Sequence, residues 1–408
     1  MRKINPDKIG VKTQTLKGFR DFLPKEAKKR QWLINILRSV FESYGFEPLE
    51  TPALEYEEVL LGKYGDEGDK LMYRFEDNGK RKVVLRYDQT VPLARVAAQY
   101  QNDLPIPFKR YQIQNVWRAE NTQKGRYREF IQCDADIIGS SSPLADAEIL
   151  KLVLDIYKTL GLSVTIKIND SENFKNLNKK YVAAIDKLEK IGESEVLSEM
   201  IDKGMASEDA KKALKELQEK KETETIKTIL SNLKRMGGKI NKISYEPALA
   251  RGLDYYTGMI FETVAQGSSG SLCSGGRFDK LIGLFSGNDI PAVGFGLGFD
   301  RTIEALEEQN LLPENNISSK VLVTIFSQDL KEKSLGVYSF LRNANLNCEI
   351  YLDENAPFPK QLKYADKKGI PYVLIIGPNE VKENKVTIKN LKTGQQKTIT
   401  QDEILNII

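Results

Sequence analysis

Histidine is absent from the 408-residue chain. Its absence excludes the Ser-His-Asp and Cys-His catalytic arrangements, histidine-ligated metal centres and histidine general bases. Any chemistry must therefore use carboxylates, arginine, lysine, tyrosine, a group of the substrate, or a metal ion held by oxygen ligands. Because 408 residues exceed one ordinary hydrophobic core, we expect two to four domains.

Cysteine is scarce, with single residues at Cys133, Cys273 and Cys348. An odd number at wide spacing fits neither a disulfide framework nor a zinc pattern, which favours a reducing cytoplasm. No stretch of about 18 apolar residues is present, so no membrane-spanning helix is expected. The N-terminal segment lacks the apolar stretch of a secretory signal. The net charge of +4 is compatible with a polyanionic partner without requiring one.

Composition divides the chain into four blocks. The first, 1–168, combines an amphipathic helix that begins at Pro24 with short strand-like runs. The second, 169–240, is rich in lysine, glutamate and leucine, and its pattern predicts the successive helices of an insertion. The third, 241–312, returns to short strands and glycine-rich turns. After a polar linker, 319–408 alternates strands and helices, which predicts a small separate α/β domain.

Two alternating segments within 108–139 flank a polar loop, AENTQKG, and predict a long β-hairpin. The second strand has one apolar face and one polar face because successive side chains point in opposite directions. The apolar face contains Ile131, Cys133, Ala135 and Ile137, and the polar face contains Arg128, Phe130, Gln132, Asp134 and Asp136. The polar face fits a binding site and a half-exposed antiparallel sheet about equally well.

Residues 83–100 predict a strand followed by a helix with Thr90 as its N-cap and Pro92 in its first turn. Asp88 precedes this cap, and taken alone the segment is an ordinary capping loop. The Gly/Ser-rich segment 267–283 allows close backbone approach to a ligand, although a plain hairpin turn is the commoner use of such residues.

The glycines of 291–309 follow a G-x-G-x-G spacing, which does not match the dinucleotide-binding fingerprint because no βαβ unit follows. Arg301 lies in the first turn of the next helix, where the helix dipole disfavours a cation by about 0.3–1 kcal/mol. An anion such as a phosphate in front of this turn would remove that penalty.

The segment RGLDYYTGMIFE, 251–262, places an arginine and two adjacent tyrosines immediately before an apolar strand. Arginines recur in each of these motifs, and their planar guanidinium groups could together surround a triphosphate. The residues are Arg118, Arg126, Arg128, Arg251 and Arg301. Asp88 and Asp136 could hold a cationic or hydrogen-bonding substrate.

The order of these motifs resembles that of the histidyl-tRNA synthetases, a family of class II aminoacyl-tRNA synthetases. YGFEPLETPALE (44–55), NVWRAENTQKGRYREFIQCD (115–134) and GFGLGFDR (294–301) are similar to class II motifs 1, 2 and 3. LRYDQTVPLAR (85–95) and RGLDYYTG (251–258) match the two segments that distinguish this synthetase from other class II members. The resemblance covers nearly the whole chain, with the helical insertion as the part that lacks a diagnostic motif.

The resemblance implies an α+β fold with an antiparallel-sheet catalytic domain, a helical insertion and a C-terminal α/β anticodon-binding domain. It implies that ATP, accompanied by Mg²⁺, and L-histidine form histidyl-adenylate, and that the histidyl group then passes to the 3′ end of tRNA(His). Motif 1 implies a homodimer. No protein-bound metal and no membrane contact are expected.

Five of the implied site residues belong to ATP binding and catalysis. Arg118 matches the motif 2 arginine of the α-phosphate and substrate carboxylate, and Glu120 matches the residue on the adenine side. Arg126 and Arg301 match the arginines of the β- and γ-phosphates. Arg251 matches the family's catalytic arginine, which acts at the α-phosphate. Such arginines suit adenylyl transfer, which needs positioning and charge neutralisation.

The remaining implied site residues bind histidine. The cradle of the α-amino group is Asp88, Thr90 and Gln132, and the imidazole contacts are Asp136 and Tyr256, with Tyr255 in the same pocket. Two departures affect these contacts. Bacterial members usually carry Glu-Gly-Thr in place of Asp88-Gln89-Thr90, and glutamate in place of Asp136.

Two other functions are compatible with the motifs. One is the regulatory subunit of ATP phosphoribosyltransferase, a relative that shares the catalytic fold. The other is an RNA sensor that binds tRNA without catalysis. The segment 319–408 and Arg251 argue against the regulatory subunit, which generally lacks the former and has lost the latter. The four intact arginines Arg118, Arg126, Arg251 and Arg301 argue against the sensor.

Overall fold

The structure is a computed structural model that forms two compact units, 1–312 and 313–408. It describes residues 13–63, 65–122, 126–250, 255–265, 270–313 and 318–408, without the side chains of 65–67. Arg251, the predicted catalytic arginine, lies outside the described residues.

The first unit contains eleven α-helices in the described residues. They are α1 Pro24–Ser43, α2 Glu57–Leu60, α3 Gly65–Lys70, α4 Thr90–Gln99, α5 Pro143–Thr159, α6 Lys179–Ile185, α7 Leu188–Asp202, α8 Ser207–Gln218, α9 Glu224–Arg235, α10 Gly283–Ser286 and α11 Phe299–Glu308. Across the ranges that the structure describes, no helix is both long and apolar enough to span a lipid bilayer.

The strands of the first unit form an eight-stranded sheet and a three-stranded sheet. They are β1 Glu47–Pro48, β2 Leu54–Tyr56, β3 Arg74–Glu76, β4 Lys82–Leu85, β5 Phe108–Trp117, β6 Glu129–Ile138, β7 Val164–Asp170, β8 Ile243–Tyr245, β9 Met259–Ala265, β10 Cys273–Arg277 and β11 Ala292–Gly298. The large sheet has the order β1-β5-β6-β11-β10-β9-β7-β8, and the small one has the order β2-β4-β3. The six central strands of the large sheet pair antiparallel, and only its two edge pairs, β1 with β5 and β7 with β8, are parallel. The predicted antiparallel-sheet architecture is therefore confirmed.

The predicted hairpin and its two faces are confirmed. Strands β5 and β6 pair over their full ten residues, from Phe108 opposite Ile138 to Trp117 opposite Glu129. The apolar face of β6 enters the main core, where Cys133 and Ala135 are fully buried against helices α1 and α5. The polar face of β6 therefore turns away from these helices, to the opposite side of the sheet.

The helices after β7 divide between two cores. Helices α6, α7 and α8 pack into a cluster of their own, which includes Val182, Met200 and Leu214. Helix α9 instead places Ile226 and Leu233 in the main core, next to α5. Exposed lysine and glutamate side chains cover the outer faces of these helices. This surface of mixed charge is in contact with solvent, as the sequence predicts. The boundaries 169–240 of the insertion remain a prediction.

The second unit is a five-stranded sheet with flanking helices, as the alternating pattern predicts. Its helices are α12 Lys331–Asn343, α13 Phe358–Lys368, α14 Pro378–Glu383 and α15 Ile404–Ile407. Its strands are β12 Val321–Val323, β13 Cys348–Ile350, β14 Tyr372–Ile375, β15 Val386–Asn390 and β16 Gln396–Ile399, in the order β13-β12-β14-β15-β16. The first three are parallel, and β15 and β16 add antiparallel strands at one edge.

Candidate active site

A cavity of about 430 Å³ opens on the polar side of the large sheet. It collects every predicted site residue that the structure describes, although these residues come from four separate segments of the chain. They are Asp88, Thr90, Arg118, Glu120, Arg126, Gln132, Asp136, Tyr255, Tyr256 and Arg301. The sheet brings them together because β6 and β11 are neighbours and both run along the cavity.

Strands β6 and β11 form the floor of the cavity through a matched register. Gln132, Asp134 and Asp136 of β6 lie opposite glycines at 298, 296 and 294 of β11, respectively. The absence of side chains at these three positions of β11 leaves room beside the three polar groups. At Gly294 a Cβ atom would lie 1.9 Å from Asp136 Oδ1, so only glycine fits there. The G-x-G-x-G spacing therefore places glycines at the positions of β11 that border the polar side chains of β6.

Arg110 of β5 is fully buried and forms an ion pair with Asp136, with 2.6 Å between Nη2 and Oδ2. The contact is electrostatic, because its angles do not meet hydrogen-bond geometry. Arg110 also donates from Nη1 to Gln112 Oε1 at 3.2 Å. Burial raises the pKa of Asp136 to about 6, and Arg110 limits this rise. Asp136 is therefore mainly a carboxylate at neutral pH.

Asp134 lies between Gln132 and Asp136 on the same face and is 2% exposed. Gln132 Nε2 donates to Asp134 Oδ2 at 2.8 Å. Burial raises the pKa of Asp134 to about 8 against the opposing charge of Arg110. Burial therefore raises the pKa of Asp134 above that of Asp136, whose carboxylate is paired with Arg110.

The loop before α4 is anchored on the hairpin by Gln89. Its Nε2 donates to the carbonyl oxygens of Gln114 and Gln132, each at 3.0 Å, across β5 and β6. The predicted N-cap at Thr90 is wrong, because Thr90 is already the first helical residue and Asp88 Oδ1 accepts from the backbone N–H of Val91. The N-cap residue is Gln89, and Asp88, one residue earlier, bonds to the first turn of the helix and also lines the cavity.

Arg118 follows β5 and is fixed by contacts on several sides. Its Nε donates to the carbonyl oxygen of Tyr87 at 3.1 Å, and its Nη2 donates to Gln132 Oε1 at 3.3 Å. The guanidinium lies 4.5 Å from the ring centre of Tyr87 and 5.2 Å from that of Phe130. These contacts orient a planar cation towards the cavity before any anion binds.

Two further arginines line the cavity beyond Gln132. Arg126 forms an ion pair with Glu120 at 3.5 Å and is largely exposed. Arg301, in the first turn of α11, donates from Nη1 to the carbonyl oxygen of Ser271 at 3.0 Å. Arg128 does not line the cavity; its Nε instead donates to the carbonyl oxygen of Glu120 at 3.1 Å.

The rings of Tyr255 and Tyr256 pack against each other ahead of β9 at an interplanar angle of 56°, with ring centres 4.5 Å apart and hydroxyls 3.5 Å apart. The edge of the Tyr255 ring meets Phe278 at 6.2 Å. Burial raises the pKa of Tyr255 to about 12 and that of Tyr256 well above its usual value. Both hydroxyls are therefore protonated hydrogen-bond donors at neutral pH.

Metal binding by the protein alone is not supported by the described residues. Within these ranges, no group of three or more cysteine, aspartate, glutamate or histidine side chains could hold a metal ion.

The sequence predicts no role for two residues at or below the cavity floor. The two-residue period places Asp134 on the polar face with Gln132 and Asp136, as predicted, but it does not distinguish this residue from a solvent-facing carboxylate. Arg110 lies on the neighbouring strand, opposite Asp136. Its importance depends on strand register, which no local pattern specifies.

Comparisons with known proteins agree with this geometry. The family model described as histidyl-tRNA synthetase matches residues 18–302, and the one described as anticodon binding domain matches 320–408. A histidine–tRNA ligase from Christiangramia forsetii is 38% identical over 94% of this chain and 96% of its own length. One from Bacteroides fragilis is 37% identical over 96% and 98%, respectively.

A solved structure is similar over the whole length. The crystal structure of histidyl-tRNA synthetase from Nostoc sp. PCC 7120 has a TM-score of 0.82 to this chain and 32% sequence identity. The match covers 98% of this chain and 100% of the Nostoc chain.

Proposed function

The chain belongs to the histidyl-tRNA synthetase family, and from this premise we propose how its cavity carries out the reaction. The protein is an aminoacyl-tRNA synthetase that ligates L-histidine to tRNA(His), with ATP as the second substrate. The observation that carries the residue assignments is the separation of charge along the floor of one cavity. Asp134 and Asp136 lie on one side of Gln132 along β6, whereas Arg118 contacts Gln132 and Arg301 follows Gly298, the partner of Gln132. The carboxylates beside these arginines are already in ion pairs, Glu120 with Arg126 and Asp300 with Arg20 and Arg30.

The length of the cavity floor suits the two substrates of the first step. Asp136 and Gln132 are four residues apart on β6, a distance of roughly 14 Å along a strand. Arg118 contacts Gln132, and Arg301 follows Gly298, which pairs with Gln132. Histidine therefore binds towards Asp136, the ATP phosphates bind towards Arg301, and the carboxylate of histidine meets the α-phosphate near Arg118.

At the ATP end, arginines neutralise the phosphates and hold them in place. Arg118 binds the α-phosphate together with the attacking carboxylate, while Arg126 and Arg301 bind the β- and γ-phosphates and Glu120 contacts the adenine. Fixed guanidinium donors stabilise charge that develops at the transferring phosphorus. Mg²⁺ enters as part of the ATP substrate, held by its phosphates.

At the histidine end, polar groups bind each charged or polar part of the amino acid. The α-ammonium group lies among Asp88, Thr90 and Gln132. Asp136 and Tyr256 bind the imidazole ring, and Tyr255 packs beside them. Since these groups are largely removed from water, an amino acid that leaves them unpaired is rejected by roughly 10⁴–10⁵.

Arg251 acts at the α-phosphate during adenylation, as its match to the family's arginine implies. The histidyl group then passes to the 3′ end of the tRNA, and the unit 313–408 binds the anticodon. We place the reaction in the cytoplasm, which the free thiols of Cys133, Cys273 and Cys348 support.

We also propose a homodimer. An open groove of about 650 Å³ lies beside motif 1, between β2 and α4. Its rim exposes large apolar side chains, including Leu54 and Tyr56. Exposed apolar surface of this kind favours a protein partner, and motif 1 implies a second copy of this chain.

The regulatory subunit of ATP phosphoribosyltransferase is the less supported alternative. The match to an anticodon-binding domain over 320–408 and the similarity to histidine–tRNA ligases over nearly the full chain both favour the synthetase.

Histidine-dependent ATP–pyrophosphate exchange by the purified full-length chain tests the proposal. We expect exchange with histidine and none with the other amino acids at equal concentration. Absence of exchange at saturating histidine would refute the synthetase function and leave the regulatory alternative.

A further inference from the structure

Asp300 directly precedes Arg301 in the first turn of α11 and lines the same cavity. Two arginines whose side chains do not line the cavity hold its carboxylate. Arg20 donates from Nη2 to Oδ2 at 2.8 Å, and Arg30 of α1 donates from Nη1 to Oδ1. The three groups are two cations and one anion, so together they carry a net charge of +1.

Aromatic rings restrict the movement of both guanidinium groups. Arg20 lies 3.2 Å from the ring centre of Tyr127, which also lines the cavity. Arg30 is 8% exposed and lies 3.9 Å from the ring centre of Phe22 and 4.9 Å from that of Phe299. A cation over an aromatic face is attracted by the ring as well as by the carboxylate, so both ion pairs are in place before ATP binds.

Arg20 belongs to the segment 13–23, which precedes α1 and is attached to motif 2. Gly18 of this segment accepts, through its carbonyl oxygen, a hydrogen bond from the backbone N–H of Arg128 at 2.9 Å. Gly18 has a φ of +89°, and a Cβ atom there would lie 2.7 Å from the side chain of Thr122, so the close approach requires glycine. The segment therefore brings Arg20 to the end of the cavity that contains Arg301.

The charge of Asp300 matters at this end of the cavity. The triphosphate of ATP is a polyanion, and an unpaired carboxylate at Asp300 would repel it. The same carboxylate would compete with the phosphates for the neighbouring guanidinium group of Arg301. One cation for each carboxylate oxygen removes both effects and leaves an excess of positive charge, which attracts an anion into the cavity.

We propose that Arg20 is a positioning residue for ATP: with Arg30, it compensates the charge of Asp300 and leaves Arg301 available to the phosphates. The inference rests on the proposed function, since it takes this end of the cavity as the triphosphate site. Loss of Arg20 should therefore weaken the binding of ATP and leave the binding of histidine at the other end unchanged.

A purely structural role for Arg20 predicts a different result. If Arg20 only attached the segment 13–23, ATP binding would suffer whichever partner of the ion pair were changed, and changing both would restore nothing. The electrostatic role predicts that the affinity for ATP follows the net charge of the three groups. Loss of Arg20 lowers this charge from +1 to 0, loss of the Asp300 carboxylate raises it to +2, and the double variant returns it to +1.

The Kd for ATP from calorimetry and the KM for ATP in ATP–pyrophosphate exchange test this order in Arg20→Met, Asp300→Asn and the double variant. We expect both constants to rise about tenfold in Arg20→Met and to return to within about threefold of the wild-type values in the double variant. Neither constant should rise in Asp300→Asn. Unchanged constants in Arg20→Met, a double variant as impaired as Arg20→Met, or a rise in Asp300→Asn would overturn the proposal.

Arg74 and Glu57 provide the matched control. Their ion pair, with 3.3 Å between Nη1 and Oε1, lies outside the cavity. Arg74→Met, Glu57→Gln and their double variant make the same changes of charge and should keep the wild-type constants. A similar rise in Arg74→Met would mean that ATP affinity follows the charge of the whole protein, and it would overturn the role of Arg20.

Thermal unfolding shows whether each variant is folded, and if Arg20→Met does not fold, the ATP constants of Asp300→Asn decide the question. Titration with histidine in the absence of ATP completes the test. A loss of histidine affinity in Arg20→Met as large as the loss of ATP affinity would contradict the proposal.

Exchange by the wild type separates the two possible failures. Exchange combined with a different order of ATP constants refutes the role of Arg20 alone and leaves the synthetase function intact. Absence of wild-type exchange refutes the proposed function, and calorimetry with ATP still decides whether affinity follows the charge around Asp300.

Discussion

Arg110 Nη2 lies 2.6 Å from Asp136 Oδ2, and both side chains are buried below the proposed imidazole site. The pair connects β5 to β6 and keeps Asp136 ionised in a cavity that would otherwise favour its neutral form. Arg110 does not line the cavity, so it is a positioning residue that acts through Asp136.

Arg110→Met is expected to lower the free energy of unfolding by about 3–5 kcal/mol, because it leaves a buried carboxyl group without its partner. Histidine affinity should fall as well, since Asp136 would then tend to bind a proton. Urea unfolding and calorimetry measure the two effects. Arg74→Met is the control, because its ion pair with Glu57 is largely exposed and contributes at most about 1 kcal/mol. Equal stability of both variants would contradict the role of Arg110.

Gly294→Ala is expected to reduce kcat/KM for histidine by roughly 100-fold, because its Cβ would displace Asp136 from 1.9 Å away. Exchange kinetics at varied histidine concentration measure this loss. The control is Gly336→Ala in α12, where no atom lies within 4 Å of an added Cβ. That variant should retain activity and gain about 0.5–1 kcal/mol of stability. Wild-type kinetics for Gly294→Ala would show that Asp136 does not bind histidine.

Arg301→Ala is expected to raise the KM for ATP by roughly 10–100-fold, since a hydrogen bond to a charged group contributes about 1.5–3 kcal/mol. Histidine binding in the absence of ATP should not change. Arg235→Ala, an exposed arginine at the end of α9, is the matched control and should leave both constants unaltered. A larger rise in the KM for histidine than in the KM for ATP would contradict the assignment of Arg301 to the ATP phosphates.

Arg251→Ala is expected to slow ATP–pyrophosphate exchange by about 10²–10³ while histidine affinity stays near the wild-type value, because electrostatic stabilisation of this kind acts on the transition state. Exchange rates and calorimetric affinities must be measured on the same preparation. A loss of affinity that matches the loss of rate would assign Arg251 to substrate binding or to structure.

Asp134 should make the protein less stable as the pH rises. Burial raises its pKa to about 8, so the native state holds a proton that the unfolded chain has released above about pH 4. The stabilisation is therefore fully present below pH 4 and is lost as the pH rises through 8. Relative to wild type, Asp134→Asn should gain roughly 2–3 kcal/mol between pH 5 and 7, as measured by urea unfolding.

Asp155→Asn should show the opposite sign. Although burial opposes the shift, hydrogen bonds from Lys151 and Tyr44 lower the pKa of Asp155. This carboxylate stabilises the fold above its unfolded pKa, so its removal should destabilise the protein at pH 7 more than at pH 3. Identical trends for the two variants would mean that the two carboxyl groups share one environment.

The residues of the cavity differ in how far the sequence could predict them. Cys133 and Asp136 fall on opposite faces of β6 as the two-residue period predicts, since that period is a local property of the strand. The sequence predicts Thr90 as the N-cap of α4, whereas the N-cap residue is Gln89 and Asp88 bonds to the first turn, because several neighbouring polar residues could fill these positions. Gln89 anchors the loop through carbonyl groups of two strands, a contact that depends on where the hairpin lies.

The sequence by itself determined the helices, the hairpin, the polar face of β6 and the family, because periodicity and short motifs depend on neighbours along the chain. Only the tertiary structure decided that Arg110 lies below Asp136, that glycines of β11 leave room beside each polar group, and that one buried oxygen of Asp134 has no hydrogen-bond partner among the described residues. These relationships depend on strand register and on the removal of water, which arise when distant segments pack together.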